Sequence, residues 1–157
     1  LLDFDLDGDQ IPNDEICRRL NGALIDGIRV REVYSDGRKI KHIAYLDCVL
    51  TLEYDAGVPS GAAEALAALF ARQELVVTKK SKNGNTEQNI IPMIRSLQVQ
   101  NPDAHTLKIA ARICCQNPSL NPMQLSAAIE TYLPDLTPDF VACRREAVYD
   151  LQETIFR

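Results

Sequence analysis

Apolar and acidic residues alternate through Leu2-Asp3-Phe4-Asp5-Leu6-Asp7, a period-two pattern that predicts a β-strand with one buried face. Asn13 then reads as a helix N-cap, Asp14 and Glu15 suit the positive end of a helix dipole, and Ile16, Cys17 and Leu20 form an apolar stripe that ends at Asn21-Gly22. Ile28 to Tyr34 and Ile40 to Tyr54 predict a hairpin around Asp36-Gly37, with Glu32 opposite Lys41. Its long second strand places Leu46, Cys48, Leu50, Leu52 and Tyr54 on one face and Tyr45, Asp47, Val49, Thr51 and Glu53 on the other. Pro59-Ser60 opens an alanine-rich helix whose stripe is Leu66, Leu69 and Phe70.

Leu75 to Ile94 climbs through a β-branched run into a lysine cluster, meets Asn83-Gly84 and descends into a second apolar run, a strong hairpin signal. A two-residue turn at Asn83-Gly84 sets Lys82 opposite Asn85, Lys80 opposite Glu87, Thr78 opposite Asn89 and Val77 opposite Ile90. The root of this arm is then apolar on both faces and its tip polar on both. Farther on, Leu107, Ile109, Ala111, Ile113 and Cys115 alternate with Thr106, Lys108, Ala110, Arg112 and Cys114 to give a half-buried strand. Asn121 caps a helix with Pro122 at its first position, Gln124 at its third and Leu125, Ala128, Ile129 and Tyr132 as its stripe. A last strand runs from Phe140 to Tyr149, with Arg144 and Arg145 on opposite faces. The order of elements predicts an α+β fold, a ferredoxin-like β-α-β-β-α-β sandwich extended by a second half-repeat, β-β-α-β. The chain reads as a single domain over 1–157 with subdomain-like halves 1–80 and 81–157.

Net charge is −5, which opposes coating of nucleic acid by bulk charge, yet the charge is unevenly placed. Residues 1–15 hold six acids and no base, whereas 28–42 and 75–100 each carry a net +3 (five cations against two acids, and four against one). The resulting candidate surface for nucleic acid or a partner is Arg29, Arg31, Lys39, Lys41, Lys79, Lys80, Lys82, Arg95, Lys108, Arg112, Arg144 and Arg145, because clustered Lys and Arg are what phosphate backbones reward. The competing role of the hairpin lysines is protection of an exposed strand edge. Only Tyr45 is expected as an aromatic on the outward face of the sheet.

Asp3, Asp5, Asp7, Asp9 and Asp14, with Gly8, also follow the oxygen-ligand spacing of a calcium loop. Gln10 and Asp14 depart from that pattern, and no helix precedes it, so the strand is the preferred reading. Cys17, Cys48, Cys114, Cys115 and Cys143 lack metal-ligand spacing and are expected as reduced, mostly buried thiols of a cytoplasmic protein. No nucleophile–base constellation stands out: His42 and His105 lack a visible partner, and Asp47 and Glu53 are expected to be solvated. No catalytic residue, cofactor or membrane contact is expected.

Three pieces in this order, LNGALIDGIRV, KKSKNGNTEQNIIPMI and CRREAVYD, carry a resemblance. Together they resemble the radical-SAM-linked domain family, proteins of unassigned function fused to, or encoded beside, a radical S-adenosylmethionine protein. The resemblance implies that the chain corresponds to the C-terminal two-thirds of the family domain, and it implies a non-catalytic accessory module working with that partner on RNA or a ribosome-related substrate. A second implied reading is an RNA-modifying enzyme whose catalytic residues lie in the N-terminal portion that the chain does not match.

Overall fold

The computed structural model describes the chain apart from residues 1, 3, 8, 9, 36, 82, 83 and 157 and the side chains of 80 and 81. It forms two compact units, Leu1–His42 and Ile43–Phe156. Among the described residues no helix is long and apolar enough to cross a membrane.

The first unit holds helix α1, Asn13–Ala23, which begins directly after Pro12 without a side-chain cap, so Asn13 is its first residue and not its N-cap. Glu15 forms a fork with Arg18 at 2.8 and 2.7 Å and also receives Arg19 at 2.6 Å. The segment from 28 to 34 is not a strand. At its centre a side chain takes the place of a strand partner: Asn21 accepts from Val30 N at 2.8 Å and donates to Val30 O at 3.0 Å. One amide thereby does what a neighbouring strand would do, and the expected hairpin is replaced by a loop clasped to α1. Ile40–His42 is a turn of 3-10 helix, so the following strand starts only at Tyr45. Among the described residues of 2–7 the predicted strand is also absent, and Leu2, Phe4 and Leu6 are exposed, while Asp3 lies outside the described residues. Alternation supplies a face, but a strand also needs a backbone to pair with, and among the described residues none pairs with this acidic stretch.

The second unit contains β1 (Tyr45–Glu53), α2 (Ala62–Phe70), β2 (Val76–Ser81), β3 (Gly84–Asn89), β4 (Ile94–Asp103), β5 (Thr106–Cys114), α3 (Met123–Tyr132) and β6 (Phe140–Tyr149). A four-stranded antiparallel sheet has the order β4-β5-β1-β6. Each helix therefore spans a split pair: α2 lies between β1 and β4, which flank β5, and α3 joins β5 to β6, which flank β1. This is the ferredoxin-like arrangement, beginning at Tyr45. Leu50, Leu52, Leu107, Ile109 and Ile113 of the sheet and Leu66, Leu69, Leu125 and Ile129 of the helices share one core, as their spacing predicts. Pro122 holds the capping position of α3, and just ahead of it Asn121 makes the expected reciprocal bonds, accepting from Met123 N at 3.0 Å while Gln124 Oε1 accepts from Asn121 N at 3.1 Å.

The extra strands do not extend this sheet; β2 and β3 form a separate two-stranded sheet inserted between α2 and β4. Its register runs from Val76 opposite Asn89 to Ser81 opposite Gly84, so Lys80 faces Asn85 and Thr78 faces Glu87. Each β2 residue pairs two positions earlier along β3 than a two-residue turn at Asn83-Gly84 predicts, which changes every cross-strand partner but leaves the faces unchanged. The root is anchored. Leu75, Val77, Ile90 and Met93 join the core, and Tyr132 of α3 donates to Val76 O at 2.9 Å.

Candidate ligand-binding face of the sheet

The sheet face away from α2 and α3 is assembled by two irregularities in register. Along β6 the pairing shifts between Asp47 opposite Ala147 and Cys48 opposite Arg145, leaving Glu146 as the extra residue of a bulge. Above it Tyr149 and Ala147 point outward; below it Arg144, Ala142 and Phe140 do. In β4 the pairing jumps from Ile94 opposite Ile113 to Ser96 opposite Arg112, and the extra residue is Arg95. The bulges bring Tyr149 opposite Tyr45 and let Arg95 turn onto the same face.

There a neutral cluster of two arginines and two carboxylates forms. Arg112 donates through Nε to Asp47 Oδ1 at 2.8 Å and through Nη2 to Oδ2 at 3.0 Å, a charge-assisted fork. Its remaining Nη1 reaches Glu153 Oε2 at 2.8 Å, and Arg95 Nη2 reaches Glu153 Oε1 at 3.1 Å. The Arg112 guanidinium lies 3.9 Å from the Tyr149 ring centroid, that of Arg95 lies 5.4 Å from the Tyr45 centroid, and Tyr149 OH donates to Asp47 at 2.8 Å. The Arg112 fork holds the Asp47 carboxyl below its usual range against the opposing cost of burial. Arg95, then Arg112, likewise lower Glu153, and donation to Asp47 pushes the Tyr149 phenol up. Asp47 is thus ion-paired, contrary to the solvated role expected for it, whereas Glu53 is exposed.

Of the predicted basic residues, Arg95, Lys108, Arg112 and Arg144 share this outer face, with Arg144 paired to Glu146 at 2.6 Å. Arg145 is exposed and points to the opposite side. Lys79 is half-buried in β2; Lys80 belongs to β2 by its backbone, and Lys82 lies outside the described residues. Arg29, Arg31, Lys39 and Lys41 are exposed in the first unit. Periodicity missed Tyr149, which depends on the β6 bulge, and Glu153, which lies in the segment that follows it; Phe140 shares the outer parity of Arg144 and was within its reach.

The remaining candidates scatter. Asp5 and Asp7 are exposed in irregular chain and Asp14 sits in the first turn of α1, while Asp3 and Asp9 lie outside the described residues. Among the described residues no three His, Cys, Asp or Glu side chains gather to hold a metal. His105 places Nδ1 2.9 Å from Tyr54 O, a contact that packs a turn, and His42 is exposed. Cys48 is buried and its thiol is pushed up to about 12 by desolvation; burial also raises Cys114, Cys115 and Cys143, although Cys143 is exposed by area. Such thiols stay protonated near neutral pH. The outer face brings together two tyrosine rings on adjacent strands, each with a guanidinium beside it.

Over residues 1–122 the sequence matches a family described as "Uncharacterized protein conserved in bacteria (DUF2344)". The chain belongs to that family. The match takes in the first unit and, in the second, β1 to β5 with the hairpin, while α3 and β6 follow it. No curated protein and no solved structure matches the chain.

Proposed function

We propose that this chain is a non-catalytic binding module that takes single-stranded RNA on the outer face of its four-stranded sheet and works in the cytoplasm beside a radical S-adenosylmethionine partner. The observation that carries the RNA reading is the Tyr45–Tyr149 pair on neighbouring strands, each ring backed by a guanidinium. Unpaired bases stack on aromatic rings and on arginine planes, and an open four-stranded sheet is a known support for that contact. Lys108 on the same face adds positive charge along a strand's path. The partner is supported by the order of the LNGALIDGIRV, KKSKNGNTEQNIIPMI and CRREAVYD pieces.

Fluorescence anisotropy with a short labelled oligouridylate and a matching duplex tests the reading. The single strand should bind at low salt and the duplex far more weakly, and affinity should fall with salt at a slope of roughly −0.7 per phosphate contact. Equal affinity for the duplex, or no binding at low salt, contradicts it.

A further inference from the structure

Glu153 sits at the centre of the arginine cluster in a backbone conformation that glutamate seldom adopts, φ +57°. The turn around it does not need its side chain. Asp150 Oδ1 accepts from Gln152 N at 3.0 Å and from Thr154 N at 2.9 Å, and Asp150 N donates to Thr154 O at 3.1 Å. Phe156 N then donates to Val148 O at 2.8 Å and the Phe156 ring is buried, so the chain returns to β6 just beyond Glu153. The carboxylate is thus held over Arg95 and Arg112 by a turn that stands independently of it, and at 39% exposure it is open to exchange with solvent anions.

From this geometry we infer that the space between Arg95 and Arg112 is a phosphate subsite, filled in the free protein by Glu153 and taken over by a phosphodiester of the bound strand. The inference rests on the reading of the outer face as an RNA surface. One carboxylate oxygen accepts from each arginine. A phosphodiester carries the same single negative charge and likewise presents two unesterified oxygens, so the exchange conserves charge and the number of charge-assisted bonds. Arg112 is already oriented by Asp47 and Tyr149, so it is in place to receive the incoming group. Glu153 then acts as a built-in competitor that lowers affinity for any strand lacking further contacts to the face.

Anisotropy with the labelled oligouridylate, run on wild type, Glu153→Gln and Glu53→Gln, tests the competition. Glu53 lies exposed on the same face and removes one negative charge without touching the arginines. Glu153→Gln should bind about tenfold tighter, a gain of the size one charge-assisted contact brings. Glu53→Gln should stay within about twofold, and adding Arg95→Ala to Glu153→Gln should abolish the gain. Glu153→Asn, which suits left-handed backbone, should give a similar gain if glutamine disturbs the turn. Equal affinity of wild type and Glu153→Gln, or equal gains from Glu53→Gln and Glu153→Gln, overturns the subsite while leaving the RNA reading standing. Binding of inorganic phosphate to Glu153→Gln, lost with Arg95→Ala, in a protein that never binds the oligonucleotide would keep the subsite and overturn the RNA reading. No binding of either probe by any variant overturns both.

Discussion

Replacing Ile109 by alanine is expected to destabilise the second unit by about 3–5 kcal/mol, the upper part of the range for a fully buried aliphatic side chain. Ile109 has no exposed surface and lies in β5 between β4 and β1, opposite Val99 on one side and Leu50 on the other. Leu66, Leu125 and Ile129 of the helices belong to the same buried core, so truncation leaves a cavity in a closely packed interior that collapses only at a cost. Val99→Ala is the internal control. Val99 is half-buried on the edge strand β4, and its truncation should cost about 1 kcal/mol or less. Urea unfolding read by midpoint at unchanged slope checks both. Small and equal costs at the two positions would show that the core is not where β1, β5 and the helices place it.

The second large effect concerns binding. Tyr45→Ala with Tyr149→Ala is expected to weaken oligouridylate binding by about 1–3 kcal/mol for each lost ring, at least fivefold per ring and at the upper end more than a hundredfold. Tyr149→Phe separates the two roles of that residue, since it keeps the ring under the Arg112 guanidinium and removes only the hydrogen bond to Asp47. Its affinity should lie near that of wild type. If Tyr149→Phe were as damaging as Tyr149→Ala, the hydroxyl and the Asp47 contact would be responsible, and stacking would not. Retention of full affinity by the double alanine variant would remove the tyrosines from the binding surface.

The parts of the fold that local pattern controls were legible in the residues. Leu46, Cys48, Leu50 and Leu52 alternate into the core of β1, the same holds from Leu107 to Ile113 in β5, and Asn121 with Gln124 marks the start of α3. What failed depended on partners distant in sequence. The Leu2 to Asp7 alternation is as regular as that of β5 but meets no neighbouring backbone among the described residues, and the 28 to 34 segment is claimed by the amide of Asn21. In the hairpin, turn chemistry at Asn83-Gly84 argued for a register two residues away from that of the β2–β3 ladder.

The candidate face was half legible for the same reason. Arg95 and Arg112 stood out by charge, but their carboxylate partners did not, because Asp47 meets Arg112 only through the β1–β5 register and Glu153 reaches both arginines from a turn beyond β6. Tyr149 was hidden by the bulge at Glu146. Counting by twos upward from Arg144 passes through Glu146 to Val148, and only the extra residue swings Tyr149 to the outer side.

Amide chemical-shift mapping of the full chain during titration with a short oligouridylate shows whether the outer face of the sheet is the ligand surface. Perturbed residues should gather at Tyr45, Asp47 and Val49 of β1, at Lys108 and Arg112 of β5 and at Arg144 and Tyr149 of β6, while amides of α2 and α3 stay unmoved. Shifts confined to the helices, or no shifts at low salt, would contradict it.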